Sequence, residues 1–365
     1  MKTKAFLPLA LSAFLTLVTL ACNKEDASPV SPEKTAETPQ EVTVRLSVVP
    51  DTPPTRVTVE DTEDEAKVSA VEFLVFKQDT GNGAYVIDAF KRVTGTTTTD
   101  LTMTQGFRRI YAIVNPTETY EDISTFNDLL MRATQLKDQA PDFFTMVGNV
   151  DQTVNNSTSS ISLRVNRMVS RIKIHKITNA LTNSTLAAKT FTVNRLFLRR
   201  AIGECYPQNL DTYYTQYAVS GVGDHLSKSR GTVDATTEKP HINALIYKDF
   251  DMAPTVASGA SYTTPHSFYS FPLFGSNDYM SLIVEIKIDN LYYTYPVELA
   301  FPLSRNKSYE ISELRITRPG NPSNGDDFLS EDEITPIEFA TVDEVLVNVQ
   351  DWNLNLLGTE GTVEF

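Results

Sequence analysis

At 365 residues, 41% of them hydrophobic and 21% charged, the chain has a globular composition and is too long for one hydrophobic core, so two folded domains are expected. Its 46 acidic side chains outnumber 32 basic ones for a net charge of −14, which excludes nucleic acid as a partner because phosphate binding needs a basic surface. Two cysteines, Cys22 and Cys205, exclude a disulfide scaffold, a metal ribbon and a CxxC redox site.

Met1-Lys2-Thr3-Lys4 followed by the apolar run Ala5–Ala21 reads as a secretory signal. Thr19-Leu20-Ala21-Cys22 resembles a bacterial lipobox, in which the cysteine is lipidated after cleavage, with Thr19 where leucine is usual. An ordinary signal peptide or a short anchor helix is the alternative, and Pro8 argues against the anchor. Residues 23–40 hold three prolines and no aromatic side chain, the composition of a disordered tether. Val42, Val44, Leu46 and Val48 then alternate with Thr43, Arg45 and Ser47, the period of a half-buried strand. Pro50, Pro53 and Pro54 remove backbone donors and predict an exposed loop, ending at Arg56, that a protease can enter.

The strand pattern repeats at residues 68–76, 108–115, 161–165, 171–177, 191–198, 281–288, 292–299 and 309–317, which predicts a mostly antiparallel β-sandwich protein. One helix is expected over Ser124–Lys137, where Ile123, Phe126, Leu129, Leu130 and Ala133 share a face behind a Ser/Thr cap. Thr96–Thr99, Asn155–Ser160 and Arg318–Asp327 have loop compositions, and the domain boundary is placed near Leu163.

Hydrolase, kinase and metalloprotease motifs (HExxH, GxSxG, P-loop) are absent from the sequence. His175, His225, His241 and His266 are scattered and read as surface or loop residues, Gly221–Gly223 reads as a turn, and Cys205 as a buried apolar residue. Tyr206, Tyr213, Tyr214 and Tyr217 could stack on sugar rings, although sheets also pack with tyrosines. Asp326, Asp327, Glu331, Asp332 and Glu333 offer oxygen ligands without the spacing of a calcium loop and read as a solvated acidic loop.

The order of lipobox cysteine, tether, alternating strand, Arg56, VSAVEFLVF, RRIYAIVN, NRMVSRIKI, FPLSRNKSYEISELRIT and a final segment holding Asp351-Trp352 and ending Val363-Glu364-Phe365 resembles the Bacteroidales fimbrilins, the major fimbrial subunit or type V pilin family. The resemblance implies a mostly β, non-enzymatic protein of two tandem transthyretin-like antiparallel β-sandwich domains, with a short helix in the first and a C-terminal donor strand. It divides the chain into a signal peptide (1–21), a lipidated tether and removable leader strand (22–56), an N-terminal sandwich (57–163), a C-terminal sandwich (164–340) and a donor segment (341–365). It also implies lipid on Cys22 holding an outer-membrane precursor, a cut at the Arg56–Val57 bond by an arginine-specific surface protease, and polymerisation by donor-strand exchange into adhesive surface fimbriae. The leader strand is then Val42, Val44, Leu46 and Val48, and the donor is Val345, Val347 and Val349, followed by Trp352, Leu354 and Leu356. Expected partners are further fimbrial subunits, the same or accessory, and host or bacterial surface receptors, with no cofactor and no metal.

The residues agree with that expectation: Val345, Val347 and Val349 alternate with Leu346, Asn348 and Gln350, so strands with an apolar face stand at both ends of the chain. A tip or anchor subunit, or a glycan-binding surface lipoprotein, is the alternative. Arg56 and the donor-like ending favour a stalk subunit.

Overall fold

Alternation with a period of two becomes strand almost throughout. The computed structural model describes residues 40–50, 58–59, 65, 67–199, 201–207, 225–226, 232–233, 240–241, 245–250, 252–272, 280–299, 303–323 and 347–352. The elements of the first half include β1 (Glu41–Pro50), β2 (Thr58–Val59), β3 (Ala70–Gln78), β4 (Tyr85–Thr94), β5 (Thr98–Thr104), β6 (Gly106–Val114), α1 (Phe126–Leu130), β7 (Thr134–Gln135), β8 (Met146–Val154) and β9 (Ser160–Arg167). The long strands form one sheet in the order β4-β3-β6-β8-β9-β1-β5.

This sheet turns over at β9, whose Asn166 and Arg167 pair with β8 while Ser160–Val165 pair with β1. Gly148 makes the close passage possible, because a Cβ there would lie 2.0 Å from the Arg164 carbonyl oxygen. Val71, Phe73, Val75, Ile110, Ala112 and Val114 of β3 and β6 thereby share one buried cluster with residues of β1, β5 and β9. On their opposite faces, Leu74, Phe76, Tyr111 and Ile113 join a second cluster that includes Leu129 of α1 and apolar side chains of the second half.

The second half contains β10 (Ser170–Ile174), β11 (Lys176–Asn179), β12 (Phe191–Arg199), β13 (Tyr247–Asp249), β14 (Ser261–Thr263), β15 (Ser267–Ser270), β16 (Met280–Ile288), β17 (Leu291–Leu299), β18 (Lys307–Ile311), β19 (Leu314–Ile316), β20 (Asn321–Ser323) and β21 (Val347–Trp352). Three sheets run β2-β21-β18-β10-β15, β14-β11-β19 and β13-β12-β16-β17-β20. Pairing is mostly antiparallel, with β1–β9, β2–β21, β10–β18 and β11–β19 parallel.

Three expectations need correction. The helix stops at Leu130, although Thr125 caps it as expected through a capping box with Asp128. Beyond it the backbone leaves helical pairing, because Thr134–Gln135 pair with Glu204–Cys205 and the Leu136 amide donates to the Gly203 carbonyl at 2.7 Å. Thr98 and Thr99 begin β5, and Asn321–Ser323 form β20 against β17, so both supposed loops contain strand. The run 171–177 breaks at His175 into β10 and β11. β9 continues through Leu163 to Arg167, and β2 pairs in a sheet of the second half.

Candidate subunit-assembly site

The leader strand lies inside its sheet. β1 pairs antiparallel with β5 from Glu41↔Thr104 to Ser47↔Thr98, and parallel with β9 from Arg45↔Ser160 to Pro50↔Val165. Its alternation decides which side chains point inward: Val44, Leu46 and Val48 are buried and Val42 is partly buried. Leu101 and Met103 of β5 and Ile161, Leu163 and Val165 of β9 belong to the same cluster. Outward residues add cross-strand hydroxyl bonds, Thr43 Oγ1 to Thr102 Oγ1 and Ser47 Oγ to Ser162 Oγ, both 2.9 Å. Burying three aliphatic side chains of this size contributes roughly 5–9 kcal/mol. A strand held on both edges does not peel away as an outer strand would.

The tail occupies a different sheet. β21 pairs antiparallel with β18 from Ile311↔Val347 to Lys307↔Asp351, and parallel with β2 at Thr58↔Asp351 and Val59↔Trp352. Of the donor residues, Val347, Val349 and Trp352 fall in β21, while Val345, Leu354 and Leu356 lie outside the described residues. Cys22, Arg56 and Val57 also lie outside them. The leader and tail strands are therefore not neighbours. Sequence reading missed β2, because two residues carry no period and their partner is nearly 300 positions away.

A buried polar cluster holds the chain just after β2. Glu65 is 2% exposed. Its carboxylate accepts from Arg171 Nη1 at 3.0 Å and from the Tyr269 hydroxyl at 2.5 Å, and its carbonyl accepts from Arg167 Nε and Nη2 at 3.3 and 3.2 Å. Arg167 also donates to Asn306 Oδ1 at 3.2 Å, and Arg171 Nε to Ser308 Oγ at 3.0 Å. Ser308 in turn donates to Glu310, which also meets His175. Burial, then the neighbouring Glu65 carboxylate, pushes the Tyr269 phenol far above its ordinary value. The cluster ties Glu65 to β10, β15 and β18, and β18 is the strand that pairs with β21.

Other candidates gather no chemistry among the described residues. His266 packs against Phe250 with tilted rings 5.4 Å apart, and burial with the Lys248 charge lowers its pKa. Cys205 is buried, as expected, and its thiol donates to the Tyr206 carbonyl at 3.7 Å. Tyr206 is half-buried, whereas Tyr213, Tyr214, Tyr217 and the acidic residues Asp326 to Glu333 lie outside the described residues. Among the described residues no group of His, Cys, Asp and Glu could hold a metal ion, and no helix is long and apolar enough to cross a membrane.

Residues 41–200 match the family model described as "Major fimbrial subunit protein (FimA)". A fimbrilin from Porphyromonas gingivalis superposes with a TM-score of 0.54 at 15% identity, covering 86% of this chain and 98% of that one. Candidate cell adhesion proteins from Bacteroides eggerthii and Parabacteroides distasonis each give a TM-score of 0.57, at 15% and 16% identity, covering 87% and 86% of this chain and 97% of each of theirs. No curated protein matches the chain. The chain thus has a fimbrilin's fold, and residues 41–200 match the sequence pattern of the major fimbrial subunits.

Proposed function

We propose that this chain is a polymerising stalk subunit. It is exported as a lipoprotein acylated at Cys22, held at the outer membrane, and cut between Arg56 and Val57 by an arginine-specific surface protease. The cut removes β1, and the tail strand of a neighbouring subunit takes the vacated place. The partners are then copies of the same chain and accessory fimbrial subunits, and the fibre meets host or bacterial surface receptors.

The observation that carries this reading is the position of β1. An internal strand lies at the N-terminal end of the described chain, next to the expected cut, so its loss opens a slot between two strand edges lined by apolar side chains. Such a slot needs another strand. The balance also favours exchange: at home the tail pairs along Val347–Asp351 on one edge and with Thr58–Val59 on the other. In the β1 slot a strand pairs along Glu41–Ser47 on one edge and Arg45–Pro50 on the other. Each added ladder hydrogen bond contributes about 0.5–1.5 kcal/mol. Because the joint is head-to-tail, it generates a filament rather than a closed dimer.

The test uses Arg56→Ala, Val347→Asp and a chain ending at Thr341, followed by electron microscopy and unheated denaturing gels. Arg56→Ala should leave monomers that retain the leader, and the two tail variants should be trimmed yet fail to form detergent-resistant ladders. Normal fibres from Arg56→Ala, or from both tail variants, would refute the reading.

A further inference from the structure

The two walls of the β1 slot are supported differently. β9 has a second strand partner, β8, which it pairs with through Asn166 and Arg167, just past the slot. β5 ends the strand order of its sheet, and β1 is the strand it pairs with. Without β1, the outer wall depends on the turn from β4, on Leu101 and Met103, and on side chains of β4 and β6.

Those side chains converge on one buried carboxylate. β4 bulges opposite β3: Val75 pairs with Ala89 and Phe76 with Ile87, leaving Asp88 as the extra residue. A bulge re-aims the side chain it inserts. The Asp88 side chain is 1% exposed and accepts from the Thr104 amide at 2.9 Å, Thr104 Oγ1 at 2.8 Å, Arg108 Nε at 2.9 Å and Lys77 Nζ at 2.9 Å. Arg108 Nη2 continues to the Gln105 carbonyl at 2.7 Å, just past the end of β5. Further along, Lys91 Nζ donates to the Asp100 carbonyl at 2.8 Å. None of these bonds involves β1. While β1 is in place they duplicate what its ladder already does for β5.

We propose that Asp88, assisted by Lys91, is a positioning residue for assembly: it holds β5 in place after β1 has gone, so that an incoming strand of a second copy meets a preformed groove. This rests on the proposed removal of β1 and adds what keeps the empty slot open. Asp88 touches neither the leaving nor the arriving strand; it acts through Thr104.

The test compares the full chain with its Asp88→Asn and Thr104→Val variants, uncut and after cleavage with an arginine-specific protease and removal of the leader. The probe is a synthetic peptide of the leader strand itself, Glu41–Pro50, which reads the groove without involving the tail. Uncut variants should melt within about 3 °C of the parent, because β1 still holds β5. After cleavage the parent should bind the peptide, and the variants should bind it at least about tenfold more weakly. Equal affinity in cut parent and variants would overturn the proposal. So would failure of the cut parent to bind, or an equal loss of stability in uncut and cut variants. If the cut parent binds the peptide and the variants do not, yet the cut parent never polymerises, the proposed function fails while the role of Asp88 stands.

Discussion

Glu65 shows how much one residue can carry when water is excluded. Its carboxylate is held by Arg171 and Tyr269, so truncation removes the nearer of the two carboxylates that balance the buried Arg171, leaving Glu310 at 3.6 Å. Glu65→Ala should therefore lower stability by about 3–5 kcal/mol, and Tyr269→Phe, which removes one donor, by about 1.5–3 kcal/mol, both read from urea unfolding of the full chain. Asp88 gives a pH test. Burial pushes its carboxyl up, but the bonds from Lys77 and Thr104 and the Arg108 charge outweigh that, so its pKa lies below the ordinary 3.8. A depressed pKa contributes stability that is fully present above the unfolded value and is lost as pH falls through the folded one. The gap between parent and Asp88→Asn should thus be constant through neutral and mildly acidic pH and close only below pH 3.8, as chemical melts at a series of pH values would reveal.

At the scale of elements, β1 stabilises the precursor and is absent from the proposed fibre. Leu46→Ala should lower the stability of the uncut chain by about 2–5 kcal/mol and leave trimmed polymers as detergent-resistant as the parent's; weakened polymers would show that the strand stays. This strand was legible because its alternation is strict and one face is buried. The start of β5 at Thr98–Thr99 has the composition of a loop because TTDLTMT offers only Leu101 and Met103 to the core, and threonine-rich strands resemble threonine-rich loops. Apolar spacing over Ser124–Lys137 is compatible with helix, yet long-range pairing of Thr134–Gln135 and burial of Leu136 against the second half override it. The slot's outer wall was illegible for a related reason: Asp88 looks like any surface aspartate until a bulge turns it inward.

For the whole molecule, charge sets the conditions of assembly. Residues 1–56 contain six basic and six acidic side chains, so a trimmed subunit keeps the −14 of the full chain. Like-charged subunits repel, and the range of that repulsion shrinks from about 30 Å at 0.01 M salt to about 8 Å at 0.15 M. Polymer growth followed by light scattering should accelerate as salt rises across that interval; slowing would mean that complementary charges steer the joint. The parallel pairing of Val59 with Trp352 has an optical consequence. Trp352 is the sole tryptophan of the chain, and trimming after Arg56 creates an α-amino group on Val57, two residues from its partner in the sheet. A dansyl group on that amine would accept excitation energy from Trp352 in the free subunit. The transfer would fade as the tail departs to a neighbour, so a single native fluorophore could time each joining event in solution.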